Sequence, residues 1–357
     1  MIEKLKIAIH QNEKVYKHSN SWTHVWIDYC KKNELDYEVV DCYSLNILDK
    51  LKDFDVLLWH FGNYSHHDML FARSILFSAK QLGLKVFPDF NTAWHFDDKI
   101  AEYYLLRSVN APIPESWIFY TKQECIDWLR HSARYPIVAK LRSGSGSNNV
   151  KLIKSVSQGI SYANRMFGKG YRNVPGLLFK AKSNIRSSRN WETFLKRYKR
   201  IPEFLKTQVN ARKLPKEHGY AYFQEFIPNE GYDLKIAVIG DKLSYFARHV
   251  RKGDFRASGG ADFYFDKSLV TPDIIKSAFE TSQRLGFKCM GFDYVADNRN
   301  HRGKIIEISY GFSYAALLQA EGYWDVYGKW HNEPLNAPEE IIRNMLYIDI
   351  YETSFSR

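Results

Sequence analysis

A lysine beside a glycine-rich loop is the first feature of the sequence that could do chemistry. Lys140 ends the apolar run PIVAKL and leads into RSGSGSNN. Glycines let the backbone bend without steric cost, so several N–H groups can face a phosphate while the ammonium supplies a point charge. The segment is not a P-loop, because no G-K-[ST] follows and the loop opens a strand. We interpret it as a phosphate cradle, with a flexible linker as the alternative. The loop residues are Ser143, Gly144, Ser145, Gly146 and Ser147.

Two acidic residues in late apolar runs could hold a metal ion. Asp293 lies in GFDYVA and Glu307 lies in IIEIS. Carboxylates on neighbouring strands are costly to bury unless they share a cation, and hard oxygen ligands select magnesium, which also binds substrate phosphates. The pattern therefore predicts a magnesium–phosphate site.

Two further features could bind ligand or stabilise charge, and each has an equally simple structural explanation. Arg248 and Arg256, in FARHVRKGDFRASGG, could place permanent positive charge beside phosphoryl oxygens or a tetrahedral oxyanion, or they could form surface ion pairs. The strand that ends in QEFI could bind an adenine ring, and the carboxylates that follow it could accept hydrogen bonds from ribose. Its alternative is a strand followed by an acidic loop. The strand-end residues are Gln224, Glu225, Phe226 and Ile227.

The elements that must position these residues fall into two patterns. Over residues 1–92, short apolar runs alternate with helix-length segments, which predicts a parallel sheet whose ligands bind at the carboxyl ends of the strands. His10 and His60 would lie at such ends, with a structural role as the alternative. Downstream, antiparallel hairpins are expected around the Gly/Ser loop and around the Gly-Asp turn at 240–241. Helices are expected over 97–108 and 271–285.

Composition excludes several classes of protein. The chain has 357 residues with 45% hydrophobic and 16% aromatic residues, which indicates a globular protein. No apolar run approaches the roughly 20 residues of a membrane span, and the N-terminus lacks a signal-peptide pattern, so we expect a cytoplasmic protein without a transmembrane segment. The four cysteines lack C-x-x-C spacing, which favours buried free thiols. A basic stretch at about 155–218 suits an anionic partner or, equally, a solvated helix face.

Taken in order, these features resemble the ATP-grasp fold. In order along the chain, they are a lysine at a helix start, a hairpin with a lysine and a Gly/Ser loop, the QEFI strand end, a strand with an arginine, and Asp and Glu on late strands. The motifs DKIAEYYLL, PIVAKLRSGSGSNNV, QEFIPNEGYDLKIAVIGDK, GFDYVAD and IIEIS are most similar to those of RimK-type carboxylate–amine ligases. The resemblance covers about residues 97 to 313.

The resemblance implies a domain organisation. The fold class would be α/β, with a parallel α/β domain over 1–92 followed by two α+β lobes that clamp ATP. The small lobe would span 93–218, with a basic insert at about 155–218. The large lobe, with the metal site, would span 219–335, and a C-terminal helix or tail would span 336–357.

The resemblance also implies roles for individual residues. Lys99 and Lys140 would bind ATP phosphates, and the loop from Ser143 to Ser147 would close over them. The four QEFI residues would contact adenine, and Asp233 would contact ribose. The metal ligands for Mg²⁺, which Mn²⁺ can replace, would be Asp293, Glu307 and Ser309, while Arg248 and Arg256 would stabilise the reacting groups. Two departures are notable: Ser309 stands where the family commonly has Asn, and Lys235 stands where Arg is usual.

The implied reaction joins a carboxylate to an amine. The carboxylate of a small molecule or sugar would take the γ-phosphoryl group of ATP, and an amine would capture the acylphosphate as an amide. The tail GYWD resembles bacterial ATP-grasp proteins of cell-surface polysaccharide biosynthesis, with packing of the C-terminal helix as the alternative role. A kinase on the same fold and a non-catalytic nucleotide-dependent binding protein are the rival functions. A nucleic-acid partner is not expected, and a homodimer is left open.

Overall fold

The N-terminal part of the chain is a parallel α/β domain. The computed structural model describes residues 5–11, 22–62, 65–144, 149–172, 216–250 and 263–352. The elements of this domain are β1 (Lys6–His10), α1 (Thr23–Lys32), β2 (Asp36–Val40), α2 (Ile47–Leu51), β3 (Val56–Leu58), α3 (His66–Gln81) and β4 (Lys85–Phe87). The strands pair in the order β2-β1-β3-β4, and all three pairs are parallel. The predicted parallel sheet is therefore present.

The small lobe is built on a separate antiparallel sheet. Its elements, with the linker helices before it, are α4 (Phe90–Ala93), α5 (Lys99–Ser108), β5 (Ser116–Phe119), α6 (Lys122–His131), β6 (Ile137–Lys140), β7 (Val150–Ile153), α7 (Val156–Met166), β8 (Tyr171–Arg172), β9 (Lys216–Glu217) and β10 (Ala221–Glu225). The main sheet has the order β5-β10-β6-β7, and β8 pairs with β9. Because β10 lies between β5 and β6, this lobe continues to Glu225, beyond the boundary at 218 that the sequence led us to expect.

The large lobe carries a seven-stranded sheet. Its elements are β11 (Tyr232–Ile239), β12 (Lys242–His249), β13 (Phe263–Tyr264), a 3₁₀ turn (Lys267–Leu269), α8 (Pro272–Leu285), β14 (Cys289–Ala296), β15 (Gly303–Ser309), α9 (Tyr314–Leu317), β16 (Tyr323–Asp325), β17 (Trp330–His331) and α10 (Ala337–Glu352). The strand order is β15-β14-β11-β12-β16-β17, with β13 also on β12. The strand β15, which carries Glu307, is thus at an edge of the sheet.

Two hydrophobic cores divide the molecule. The N-terminal domain and the large lobe share one core, whereas the small lobe has its own. The helix α10 links the N-terminal domain to the large lobe. Trp26 donates from Nε1 to the Pro338 oxygen (2.9 Å), and Lys85 donates from Nζ to the Met345 oxygen (3.2 Å). Residues 226–231, which we call the hinge, lead from the small-lobe sheet into the large-lobe sheet.

Several predicted features prove to be structural. His10 lies 4.1 Å from the Trp59 ring and His60 stacks on Trp22 at 4.4 Å, and burial lowers the pKa of the two histidines to about 4 and about 3. The aromatic tail packs in the large lobe, where Trp324 is buried against Trp330. All four cysteines are buried and free, as predicted. Within the described ranges, no helix is long and apolar enough to cross a bilayer.

Candidate active site

Lys99 is the first residue of α5 and points into the space between the lobes. The Asp98 side chain accepts from the N–H groups of Ile100 and Ala101, which caps the helix and fixes where it begins. The Lys99 ammonium donates to the Gly144 oxygen (2.7 Å) and lies 3.2 Å from Glu307 Oε1. Burial alone would lower the pKa of Lys99, but nearby carboxylates led by Glu307 outweigh burial and raise it. The ammonium therefore stays charged.

Lys140 ends β6 and reaches the large lobe. Its Nζ donates to the main-chain oxygen of Ile306 in β15, 2.9 Å away. Burial lowers the pKa of Lys140 to about 8, although the charge of Glu307 opposes this shift. A buried ammonium whose hydrogen-bond partner is a neutral carbonyl would be stabilised by an anion, so the position suits a phosphate.

A buried carboxyl group completes the contacts between the small lobe and the edge of β15. Glu102 lies on α5 one turn after Lys99, and its Oε2 accepts from the Ile308 N–H at 3.3 Å. Burial raises the pKa of Glu102 to about 8, opposed by Lys99. The Ile305 N–H donates to the Pro112 oxygen at 2.8 Å, so the outer edge of β15 is hydrogen-bonded although none of the described strands pairs with it on that side.

The stem of the Gly/Ser loop is held by acidic side chains. The Gly144 N–H donates to Asp97 Oδ1 (3.1 Å), and the Arg142 N–H donates to Glu217 Oε2 (2.9 Å). The Ser143 N–H also donates to Glu217, at 3.3 Å. Because these N–H groups are already used, the contacts of Ser143 and Gly144 favour an anchor for the loop, and the phosphate cradle stays a prediction. Ser145, Gly146 and Ser147 lie outside the described residues.

The QEFI residues divide between a cleft and the lobe boundary. The cleft lies between α5, β10 and β15 and is lined by Lys99, Tyr103, Gln224, Ile305 and Glu307. Gln224 is buried, with Nε2 3.2 Å from Ser116 Oγ, and Ile227 is buried too, whereas Phe226 is half-buried. Glu225 turns its carboxylate to Arg299 Nη2, 3.0 Å away. The Pro228 oxygen accepts from the Asn298 N–H at 2.9 Å, so the β14–β15 turn fixes the hinge.

Asp293 lies at the centre of a buried charge cluster. In the sheet it is opposite Lys235 on one side and Glu307 on the other. The Lys235 ammonium lies 2.5 Å from Asp293 Oδ1, and Arg248 Nη2 lies 3.1 Å from the same oxygen. Burial would raise the pKa of Asp293, but these two cations lower it, so the carboxylate is ionised.

Arg248 is oriented by Asp233. Its Nε and Nη2 donate to the two oxygens of that carboxylate at 2.7 and 2.9 Å, a bidentate geometry that fixes the guanidinium plane. Asp233 is buried, and burial raises its pKa to about 6 although Arg248 opposes the shift. Both oxygens accept from Arg248, so the described contacts show Asp233 orienting this guanidinium, and its contact with ribose stays a prediction.

The fold over the whole chain matches that of known ligases. No protein-family model matches the chain. The α-aminoadipate–LysW ligase LysX of Saccharolobus solfataricus is 23% identical over 280 residues, which are 77% of this chain and 83% of that protein. The D-alanine–D-alanine ligase of Bacillus anthracis, in complex with ATP, superposes with a TM-score of 0.54 at 12% identity, covering 98% of this chain and 99% of that chain. The ATP-grasp ligase PsnB gives 0.54 at 10% identity, covering 97% and 99%. The chain has the ATP-grasp fold.

The donor set of the candidate site fits a hard divalent cation. Asp293 and Glu307 are paired across β14 and β15, and Ser309 lies two residues beyond Glu307 on the same face of the strand. The Ser309 Oγ accepts from the Gly311 N–H at 3.2 Å and retains a lone pair. Among the described residues, no group of three or more His, Cys, Asp and Glu side chains is arranged to hold a metal ion. Two carboxylates with further oxygen donors from substrate suit magnesium.

Sequence reasoning missed three residues that contact or line the candidate site. Glu102 could have been found from its i, i+3 spacing to Lys99 on one helix. Glu217 could have been noticed as an acid within a basic stretch. Arg299 lies in a turn, and nothing in its local sequence indicates that it meets Glu225. The predicted Arg256 lies outside the described residues.

Proposed function

We propose that this ATP-grasp chain is an ATP-dependent carboxylate–amine ligase that forms an amide through an acylphosphate. The observation that carries the proposal is that Lys99 and Lys140 converge on Glu307 and Ile306, neighbouring residues of β15 that line one cleft. Two buried ammonium groups of the small lobe there meet the edge strand that bears a metal-type carboxylate. Such a convergence of opposite charges between two lobes suits a magnesium-bound triphosphate. The names of LysX and of D-alanine–D-alanine ligase, both ligases, support the reaction class.

The two lysines would hold the nucleotide phosphates. When bound, ATP supplies the phosphoryl group that activates a substrate carboxylate, and magnesium supplies charge neutralisation. Lys99 and Lys140 would exchange Glu307 and the Ile306 oxygen for phosphate oxygens, which compensates the burial of their charges. Gln224 and Ile227, with the main chain at Glu225 and Phe226, would receive the adenine ring in the cleft.

The carboxylates and the arginine would act at the reacting end. Asp293 and Glu307 would bind magnesium, with Ser309 as a weaker additional oxygen donor. Arg248 reaches Asp293 while Asp233 fixes its orientation, so its charge is preorganised beside the metal ligands. A guanidinium held in this way can stabilise the negative charge of a tetrahedral intermediate without reorganising.

The proposal stops at a carboxylate and an amine. The aromatic tail that resembled polysaccharide-biosynthesis proteins packs inside the large lobe, where Tyr323 and Trp324 are 7% and 8% exposed. Side chains so enclosed do not offer a face on which a sugar ring could stack. The packing removes the support for a uronic-acid acceptor, and we retain only the acid and amine classes.

The decisive experiment measures ADP release from Mg-ATP. Wild type and Glu307→Ala are compared with pooled N-acetylated amino acids and uronic acids, each with and without a panel of amines. We expect ADP only when an acid and an amine are both present, and none with Glu307→Ala. Glu280→Ala is the matched control, because its carboxylate is half-exposed on α8 and its described ion pair is with Lys276 of the same helix.

The other outcomes discriminate the rival functions. ADP release with an acid or an alcohol and without any amine would replace the ligase by a kinase. If ATP raises the melting temperature but no pool yields ADP, the nucleotide site stands and the ligase proposal gives way to a binding protein. If the protein does not bind ATP at all, both the ligase and the nucleotide-dependent binding protein are excluded.

A further inference from the structure

Glu217 is hydrogen-bonded to the start of the Gly/Ser loop by an unusually large number of donors. Its Oε2 accepts from the Arg142 N–H at 2.9 Å, and its Oε1 accepts from the Ser143 N–H at 3.3 Å. The Ser143 hydroxyl and the Tyr220 hydroxyl donate to the same carboxylate. The Tyr220 oxygen also accepts from the Arg142 N–H at 2.7 Å. Four donors on one carboxylate indicate a built contact, because each charged hydrogen bond restricts the geometry further.

The backbone of Glu217 is itself fixed. Glu217 pairs with Tyr171 in the β8–β9 ladder, and a Cβ added at Gly170 would lie 2.6 Å from the Glu217 oxygen. Gly170 has φ +68°, so both its conformation and the close approach require glycine. The Gly219 N–H donates to the Met166 oxygen at 2.9 Å, which holds the chain just after Glu217 on α7. The carboxylate is therefore presented from a rigid support.

The opposite side of the same stem is bound by the start of α5. The Lys99 N–H donates to the Arg142 oxygen at 2.8 Å, and the Lys99 ammonium donates to the Gly144 oxygen at 2.7 Å. Asp97 accepts from the Gly144 N–H at 3.1 Å. Residues 142–144 are thus clasped between Glu217 and the residues that place Lys99, so the loop stem and the phosphate-binding lysine share one framework.

The contacts of the Glu217 carboxylate are not those of a surface ion pair. Within the part of the chain that the structure describes, no lysine or arginine side chain lies within 4.0 Å of its carboxylate, and the contacts go to main-chain N–H groups and hydroxyls. Contacts to main-chain N–H groups fix the path of the backbone, whereas an ion pair with a flexible lysine or arginine side chain would not. The carboxylate also takes up the N–H groups at 142 and 143, so among the described groups it is the lysines that could meet a phosphate.

We propose that Glu217 is a positioning residue that holds residues 142–144 so that the main-chain oxygens of Arg142 and Gly144 fix Lys99 for binding the nucleotide phosphates. This inference rests on the proposed function, because it requires ATP in the cleft beside Lys99 and Lys140. Glu217 acts through the loop stem and does not touch the nucleotide. Its removal therefore weakens the binding of phosphates and leaves the adenine contacts intact.

Isothermal titration of the full-length protein with ATP and, separately, with adenosine tests the inference. For Glu217→Ala we expect Kd for ATP to rise about tenfold, while Kd for adenosine changes less than about twofold. Glu217→Gln keeps one acceptor oxygen and should give about a threefold rise. Lys216→Ala is the control, because this neighbour in β9 is exposed and its side chain can be removed without touching the stem. The melting temperature of each variant without nucleotide shows whether it is folded.

The outcomes separate this inference from the proposed function. An unchanged Kd for ATP in both Glu217 variants, or equal losses for ATP and adenosine, would overturn the positioning role while leaving the nucleotide site in place. If wild type binds neither ATP nor adenosine, the proposed function fails and the inference fails with it. If Glu217→Ala does not fold, the comparison of ATP with adenosine in Glu217→Gln decides.

Discussion

The Lys140 ammonium lies 2.9 Å from the main-chain oxygen of Ile306, so a small-lobe lysine is bonded to the large-lobe strand that carries Glu307. Lys99 makes a parallel connection, since its ammonium lies 3.2 Å from Glu307 itself. The two groups that would bind phosphate are therefore also the groups that join the lobes. Binding and lobe arrangement are coupled through these side chains, and substitutions there should affect both.

Lys140→Met should lose ATP affinity without losing stability. The folded-state pKa of Lys140 is about 8, below its ordinary 10.5, so the charged side chain is a destabilising group at neutral pH. This cost is full below pH 8 and is relieved as the pH rises from 8 to 10.5. We expect the variant to gain on the order of 1 kcal/mol at pH 7, because loss of the bond to Ile306 offsets part of the gain.

The measurement for Lys140 is a melting curve without nucleotide at pH 7, 8, 9 and 10, with ATP titrations at pH 7. The advantage of the variant should shrink as the pH rises, and its Kd for ATP should rise at least about tenfold. Lys276→Met, on the exposed face of α8, controls for the removal of any lysine charge. A variant that melts well below wild type at pH 7 would show that the contact with Ile306 dominates.

Glu102→Gln should remove a pH dependence of stability. The folded-state pKa of Glu102 is about 8, above its ordinary 4.5, because burial favours the protonated form. Between these values the folded protein binds more protons than the unfolded chain, so stability falls as the pH rises from about 4.5 to 8. A glutamine carries no charge and its oxygen can still accept from the Ile308 N–H.

The test for Glu102 is the difference in melting temperature between variant and wild type across pH 5 to 9. This difference should increase towards pH 8 in favour of the variant and level off above it. Glu280→Gln, at a half-exposed position, should show no such trend. Parallel curves for wild type and Glu102→Gln would contradict the assignment of a protonated Glu102 at neutral pH.

Arg248→Ala should destabilise the large lobe. The substitution leaves Asp233 without its bidentate partner and leaves Asp293 with Lys235 alone from the pair of cations described above. Removing one partner of a buried ion pair costs about 3–5 kcal/mol, because the other charge stays buried. Chemical denaturation of Arg248→Ala, Asp233→Asn and the double variant measures the coupling. The double variant should be more stable than Arg248→Ala, and strictly additive losses would disprove the pairing.

The sequence predicted the fold and the candidate site residues better than it predicted the contacts between them. The alternation of apolar runs predicted the parallel sheet. The separate motifs identified Lys140, Asp293 and Glu307 as candidate site residues, because strand ends and charges within apolar runs can be recognised from the local sequence. The role of Asp233 could not be predicted, because it depends on Arg248, which is 15 residues away in sequence and adjacent only once β11 and β12 pair. The contact of Glu217 with residue 142 likewise forms between elements separated by the whole basic stretch.

Arg299→Ala should weaken nucleotide binding more than catalysis. Arg299 holds Asp297 and Glu225 together, at 2.6 Å and 3.0 Å from Nη2, and thereby fixes the β14–β15 turn against the strand end that leads into the hinge. Because the guanidinium is half-exposed, solvent screens its ion pairs and they should contribute little to stability. Its effect on the hinge should appear as a KM for ATP raised about fivefold with kcat nearly unchanged. Steady-state ADP release at varied ATP measures both, with Arg302→Ala as a control, since Arg302 is exposed in the same turn. Equal losses in kcat and kcat/KM would instead assign Arg299 to the reacting end of the site.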